Sequence, residues 1–331
     1  MEFRFLLKAL FFTLSFFYAA TAMAATESPT NPSVKSQIDI GKHDFNQGRY
    51  EDALTAWNIA LEKYRSTGDK SGQAKILQYK AEAYLAIGQY YKATSNLEAA
   101  LALAEASGDE QLAAQVASSL GTAFLLSNRT DEARDLLEKA VAGEQANGRP
   151  GSAAVAGNNL GNLLASLGEY DAAIAAYKQA VSDAGKAENS KLAVKGSVNI
   201  ARALVDSNRN KEALESLEQV TEQAKSLSAS HEKAYVLTSI GRLYSRIADS
   251  SDDSAAELEK LANEALNMAA DTARSINDNR ALSYAYGYLG ELYEKTGRNE
   301  EAMLATHKAL RYLQATPAPE IRYRWQWQEG R

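Results

Sequence analysis

Three histidines, His43, His231 and His307, are the only imidazoles in this 331-residue chain, and none has a second ligand at metal spacing. A zinc-protease helix needs two histidines one turn apart, so His231-Glu232-Lys233-Ala234-Tyr235 supplies one ligand and no partner. All three are expected at the solvated surface. Cysteine is absent, which removes disulfides, thiolate metal sites, a cysteine nucleophile and a lipid-modified N-terminal cysteine. No Gly-x-Ser-x-Gly elbow, phosphate loop or Gly-x-Gly-x-x-Gly turn occurs. Acidic pairs such as Asp252-Asp253 read as solvated faces. The expectation is therefore a protein that is not an enzyme, with no catalytic residue, no cofactor and no metal. The chemistry left open is recognition. Asparagine amides both donate to and accept from a peptide backbone, and Arg and Lys hold carboxylates. Such side chains act together only if a scaffold places them on one face.

That scaffold is legible as a repeat. A small residue recurs at Gly41, Ala81, Gly121, Gly161, Ala201, Gly241 and Gly290, in steps of 40 with a last step of 49. A second series, Ala53, Ala93, Ala133, Ala173, Ala213, Ala262 and Ala302, runs in the same phase. The two share one insertion, which must lie between Gly241 and Ala262 and predicts an enlarged, exposed turn near Asp249 to Ala256. Between the two small residues stand turns such as Ile87-Gly88-Gln89-Tyr90, Ser127-Asn128-Arg129-Thr130 and Ser207-Asn208-Arg209-Asn210. Gly or Asn at one fixed place is a helix C-cap, so each copy is a helical hairpin. Large residues at Tyr84, Phe124, Leu164, Leu204 and Tyr293 on the first helix, and at Trp57, Leu97, Leu137, Tyr177, Leu217 and Leu266 on the second, fill the gap that the small ones open.

The motifs Leu289-Gly290-Glu291-Leu292-Tyr293, Leu120-Gly121-Thr122-Ala123-Phe124 and Ala53-Leu54-Thr55-Ala56-Trp57 resemble the tetratricopeptide signature over residues 37 to 315. The period of 40 exceeds the usual ~34, the closing proline is missing, and Asp44 stands at the first copy's aromatic position, with Phe45 next to it. Lengthened repeats of this kind resemble kinesin light chain and Pins-type members, which bind extended peptides in a concave groove. The resemblance implies an all-α, right-handed α-solenoid of seven hairpins. It also implies that the groove is lined by the first helix at two residues before and one after its small residue, with a contribution six before. Those positions hold Asn159 and Asn162, then Lys195, Asn199 and Arg202, then Tyr235 and Arg242, with Asn158 adjoining.

Adding one period to Gly290 reaches Gly330, so residues 316–331 are expected to start an incomplete eighth repeat. Tyr323, Trp325 and Trp327 there are unlike a polar cap and are expected to dock a partner or a following repeat, with residue 331 not the natural end of the array. The Trp-Gln-Trp-Gln segment also resembles exported bacterial proteins in which such repeats lead into a CHAT domain, a caspase-like peptidase fold. Three roles follow: a scaffold for peptides or partner proteins, the sensor portion of a larger CHAT-type peptidase, or a structural self-associating array.

Residues 1–24 have the form of a signal peptide. Arg4 and Lys8 precede an apolar run of about a dozen residues, too short to span a bilayer, and Ala22-Met23-Ala24 is a small-x-small cleavage pattern. Export to the periplasm or beyond is expected, followed by a flexible lead-in over 25–36. The formal charge of -6 disfavours a nucleic-acid partner, which needs a basic face.

Overall fold

A computed structural model describes residues 32–46, 49–250, 254–313 and 319–330. The expected signal peptide, with most of the lead-in after it, lies outside them. The described residues form helices without strands: α1 (Pro32–Asn46), α2 (Tyr50–Thr67), α3 (Lys70–Ala86), α4 (Tyr90–Ser107), α5 (Glu110–Leu126), α6 (Thr130–Ala146), α7 (Pro150–Ser166), α8 (Tyr170–Lys186), α9 (Ser190–Asp206), α10 (Asn210–Ser226), α11 (His231–Ala248), α12 (Ala255–Ser275), α13 (Asn279–Lys295), α14 (Asn299–Tyr312) and α15 (Pro319–Glu329). Odd-numbered helices carry the first small residue of each repeat and even-numbered helices the second.

The two kinds of helix start differently. Five first helices are capped by a side chain, Asp69, Asp109, Asn189, Ser230 and Asp278 each accepting a hydrogen bond from the amide three residues on, whereas α7 starts on Pro150 without one. Second helices start from a tight turn without that cap, and an Arg at the turn does other work. Arg129 and Arg298 pair with Glu132 and Glu301 one turn ahead, and their guanidinium groups lie 4.0 and 4.2 Å above the rings of Phe124 and Tyr293. The aromatic near the end of the first helix is thus a platform for the hairpin turn. Asn128 and Asn208 hold the left-handed conformation at φ 61° and 60°, as their place in the turn predicts.

The described residues divide into two compact bodies, one up to Leu167 and one from Gly168 on. In the first, α1 to α7 stack as hairpins around Trp57, Ile76, Leu97, Val116, Leu137 and Leu163. Helix α1 begins at Pro32, ahead of the expected start at residue 37, because proline suits a first helical position and Val34 enters the core. Phe45 does take the place of the missing aromatic, 5.8 Å from the Trp57 ring, and Asp44 pairs with Arg49 instead.

In the second body, α8 to α15 bury Leu217, Leu237, Ile240, Leu266 and Leu289. The insertion is not mainly a turn. It lengthens α11 by two residues at its C-terminus and α12 by four at its N-terminus. The reason is apolar: Ile247, Ala248 and Leu258 give the added helical turns a buried face. Residues 251–253 lie outside the described set.

Candidate functional site

First helices of the second body bring the predicted positions together. Lys195, Asn199 and Arg202 stand on α9, Tyr235 and Arg242 on α11, Tyr284, Tyr288 and Glu291 on α13, and Arg324 on α15. Periodicity explains the alignment: residues six before, two before and one after the small residue share one helix face, and successive first helices are neighbours.

Arg202 Nη1 donates to Asn199 Oδ1 at 2.9 Å. Arg242 lies 4.2 Å above the ring of Tyr288. Arg246 pairs with Asp206 at 2.8 Å, which ties α11 to α9 beside them. Beyond the cations runs an aromatic ladder: His231 to Tyr235 (4.4 Å between rings), Tyr235 to Tyr284 (5.4 Å), Tyr284 to Tyr288 (6.3 Å) and Tyr288 to Trp325 (5.3 Å). Tyr284 and Tyr288 are buried, so they form the floor, while Tyr235 keeps an accessible edge.

The electrostatics are those of cations held at a cost. Burial pulls the Lys195 ammonium down to about 8, and the Arg202 charge adds to the pull. Burial also lowers Arg202, with Arg242 and Arg246 adding to it against Tyr177 and Asp206. Burial makes each positive charge costly to hold in the folded site. A carboxylate entering it reverses that balance and gains charge-assisted hydrogen bonds.

In the first body, Asn159 and Asn162 occupy the same register on α7 and are half-buried. Asn158 is corrected: it is 2% exposed and is no surface residue. Its register, three before the small residue, is also buried at Gln78, Ser118, Val198 and Thr238, where the helix turns inward rather than to solvent. His231 is half-buried rather than fully solvated: its Nδ1 meets the Asp278 carboxylate and its ring lies tilted at 43° against that of Tyr235.

Trp325 is corrected as a docking residue. It is fully buried, its ring fills the space above Gly287, and its Nε1 donates to Ser283 Oγ at 3.2 Å. The cause is register: it stands five before Gly330, where Ile76, Val116 and Ala156 in the first body, and Ala285 in the second, are also buried. Tyr323 and Trp327 are 74% and 59% exposed. The sequence reading missed Arg324, whose Nη2 pairs with Glu291 at 2.5 Å. The rule that picked Lys195, applied to Gly330, selects it.

Residues 72–146 and 158–182 match family models described as tetratricopeptide repeat. These segments are tetratricopeptide repeats. Similar solved structures include aspartyl phosphate phosphatase F from Bacillus subtilis, with TM-score 0.58 and 16% identity, covering 85% of this chain and 70% of that one. The apo form of RapI gives TM-score 0.56 and 14% identity over 85% of this chain and 98% of that one. A Rap protein complexed with competence and sporulation factor gives 0.56 and 17% over 81% and 76%. At such identities the likeness shows the repeat fold alone. No curated protein matches the chain. Nothing in these matches carries the CHAT-type resemblance.

Proposed function

We propose that this repeat protein is a non-enzymatic scaffold that holds an extended, acidic or C-terminal peptide segment of a partner protein against the first-helix face of its second body. The observation that carries the reading is the placement of Lys195 and Arg202 on α9 next to Arg242 on α11, with burial pulling Lys195 and Arg202 toward their uncharged forms. Arg202 and Arg242 hold a carboxylate, Lys195 adds charge, Asn199, itself 5% exposed, orients Arg202 through its Oδ1, and the Tyr235 edge covers an apolar side chain of the ligand. Asn159 and Asn162 offer amide chemistry on the first body. A Rap protein of similar fold has been solved in complex with competence and sporulation factor, which supports a protein or peptide partner. The formal charge of -6 argues against nucleic acid.

The signal-like residues 1–24 support a mature chain starting at Ala25 and working outside the cytoplasm. The test of the scaffold is capture of proteome-derived peptides on the purified protein, read by mass spectrometry. Enrichment of acidic or carboxy-terminal peptides, lost in the Arg202→Glu, Arg242→Glu variant, is expected. Capture without that bias would overturn the reading.

A further inference from the structure

One register position sets the sign of charge along the first-helix face of the second body. The residue directly after the small residue is Arg202 on α9 and Arg242 on α11, but Glu291 on α13. An unmasked carboxylate there puts negative charge beside the cations. Facing it stands Arg324 on α15, six before Gly330, which is the register of Lys195 on α9. Its Nη2 and Nε donate to Glu291 Oε1 at 2.5 and 3.0 Å. The same guanidinium lies 5.0 Å from the centre of the Tyr288 ring, which Arg242 approaches at 4.2 Å.

This pair contributes little as a tether. Helix α15 is already held by Ile321 and Trp325, 1% and 0% exposed, and by Gln328, whose amide donates to Thr306 Oγ1 at 2.8 Å. With 32% and 28% of the two side chains exposed, the ion pair is screened by water and adds little to that packing. Its effect on charge is larger. Burial works against the Arg324 cation, but Tyr288 and then Glu291 outweigh it and hold the guanidinium above its ordinary value, whereas burial leaves Arg202 lowered. One other glutamate occupies this register, Glu82 in the first body, and burial pushes its carboxyl up to about 8, so that it is mostly uncharged at neutral pH. Both glutamates at this position therefore have their negative charge masked, one by burial and one by Arg324.

We propose that Arg324 is a specificity-determining residue that acts through Glu291. By masking that carboxylate it lets the second body accept a segment with several acidic residues, laid from α9 across α11 toward α13, whose far end Glu291 would otherwise repel. The inference rests on the groove reading and deepens it, since it extends the ligand from one carboxylate to a run of acidic side chains.

The test is fluorescence anisotropy of a labelled peptide with several acidic residues and a free carboxylate, titrated with the full chain and three variants. Arg324→Gln is expected to weaken binding at least ~5-fold, about 1 kcal/mol, because it leaves Glu291 unmasked. Glu291→Gln breaks the same ion pair but leaves a cation, and is expected to tighten binding. The double variant should return affinity toward the wild-type value. The deficit of Arg324→Gln should narrow at high salt, as a through-space repulsion does. A tether gives a different pattern: both single variants break the pair, weaken binding alike and red-shift the Trp325 emission. That pattern, or a wild type that binds while Arg324→Gln binds equally well, overturns the inference. A wild type that binds no acidic peptide sinks the groove reading, and this inference with it.

Discussion

Glu82, on the first-helix face of the first body, shows what a groove position costs when its charge is buried. Burial pushes its carboxyl up to about 8, against the opposing pull of Lys42, whose ammonium also lies 5.2 Å from the Tyr79 ring centre. A carboxyl whose folded pKa is raised binds more protons than the unfolded chain between the ordinary 4.5 and about 8. Its contribution is fully present below pH 4.5 and is lost as pH rises through 8. Urea unfolding from pH 5 to 8 is therefore expected to show wild-type stability falling relative to Glu82→Gln; parallel profiles would contradict this. Lys195 runs the other way: its lowered pKa makes the folded protein gain stability above about 8, as the ammonium deprotonates. The register of both residues was legible from the repeat, since each stands at a fixed distance from a small residue. Their protonation was not, because periodicity says which face a residue takes and not how deeply its neighbours cover it.

At the scale of helices, close approach decides more than propensity. Gly287 on α13 admits the Trp325 ring, and an added Cβ would sit 2.2 Å from ring carbons. Gly287→Ala should lift α15 off the hairpin and cost about 1–3 kcal/mol, with red-shifted tryptophan emission as the readout. Unshifted emission would show that the ring has room to move. The added length of α12 makes a second prediction. Leu258 is 4% exposed in the segment that the repeat spacing marks as extra. Leu258→Ala should cost about 2–4 kcal/mol in chemical denaturation, whereas a surface loop would lose almost nothing. The position of the insertion was readable from two series of small residues sharing one long step. Its helical form was not, because Ser250-Ser251-Asp252-Asp253-Ser254 is turn-like in composition and the apolar residues that extend the helices flank it. Trp325 was misplaced for a related reason: an aromatic run looks like one patch, yet alternate members of it fall on opposite helix faces.

For the whole molecule, the proposal is that the helical hairpins serve to present side chains, and that the second body presents a cationic face with an aromatic floor. The hairpins were legible because the small residues recur in phase, which physical packing demands of every copy. The ligand was not, since groove residues are released from that packing and so carry no period. The central claim is therefore best tested on the groove itself. Fluorescence anisotropy of a labelled acidic peptide ending in a free carboxylate should show saturable binding to the full chain at pH 7, weakening as pH rises past about 8 with loss of the Lys195 charge. With charged hydrogen bonds worth ~1.5–3 kcal/mol each, Arg202→Glu with Arg242→Glu should reduce affinity more than ~100-fold while leaving the helical circular dichroism intact. Equal affinity in the folded variant would contradict the account.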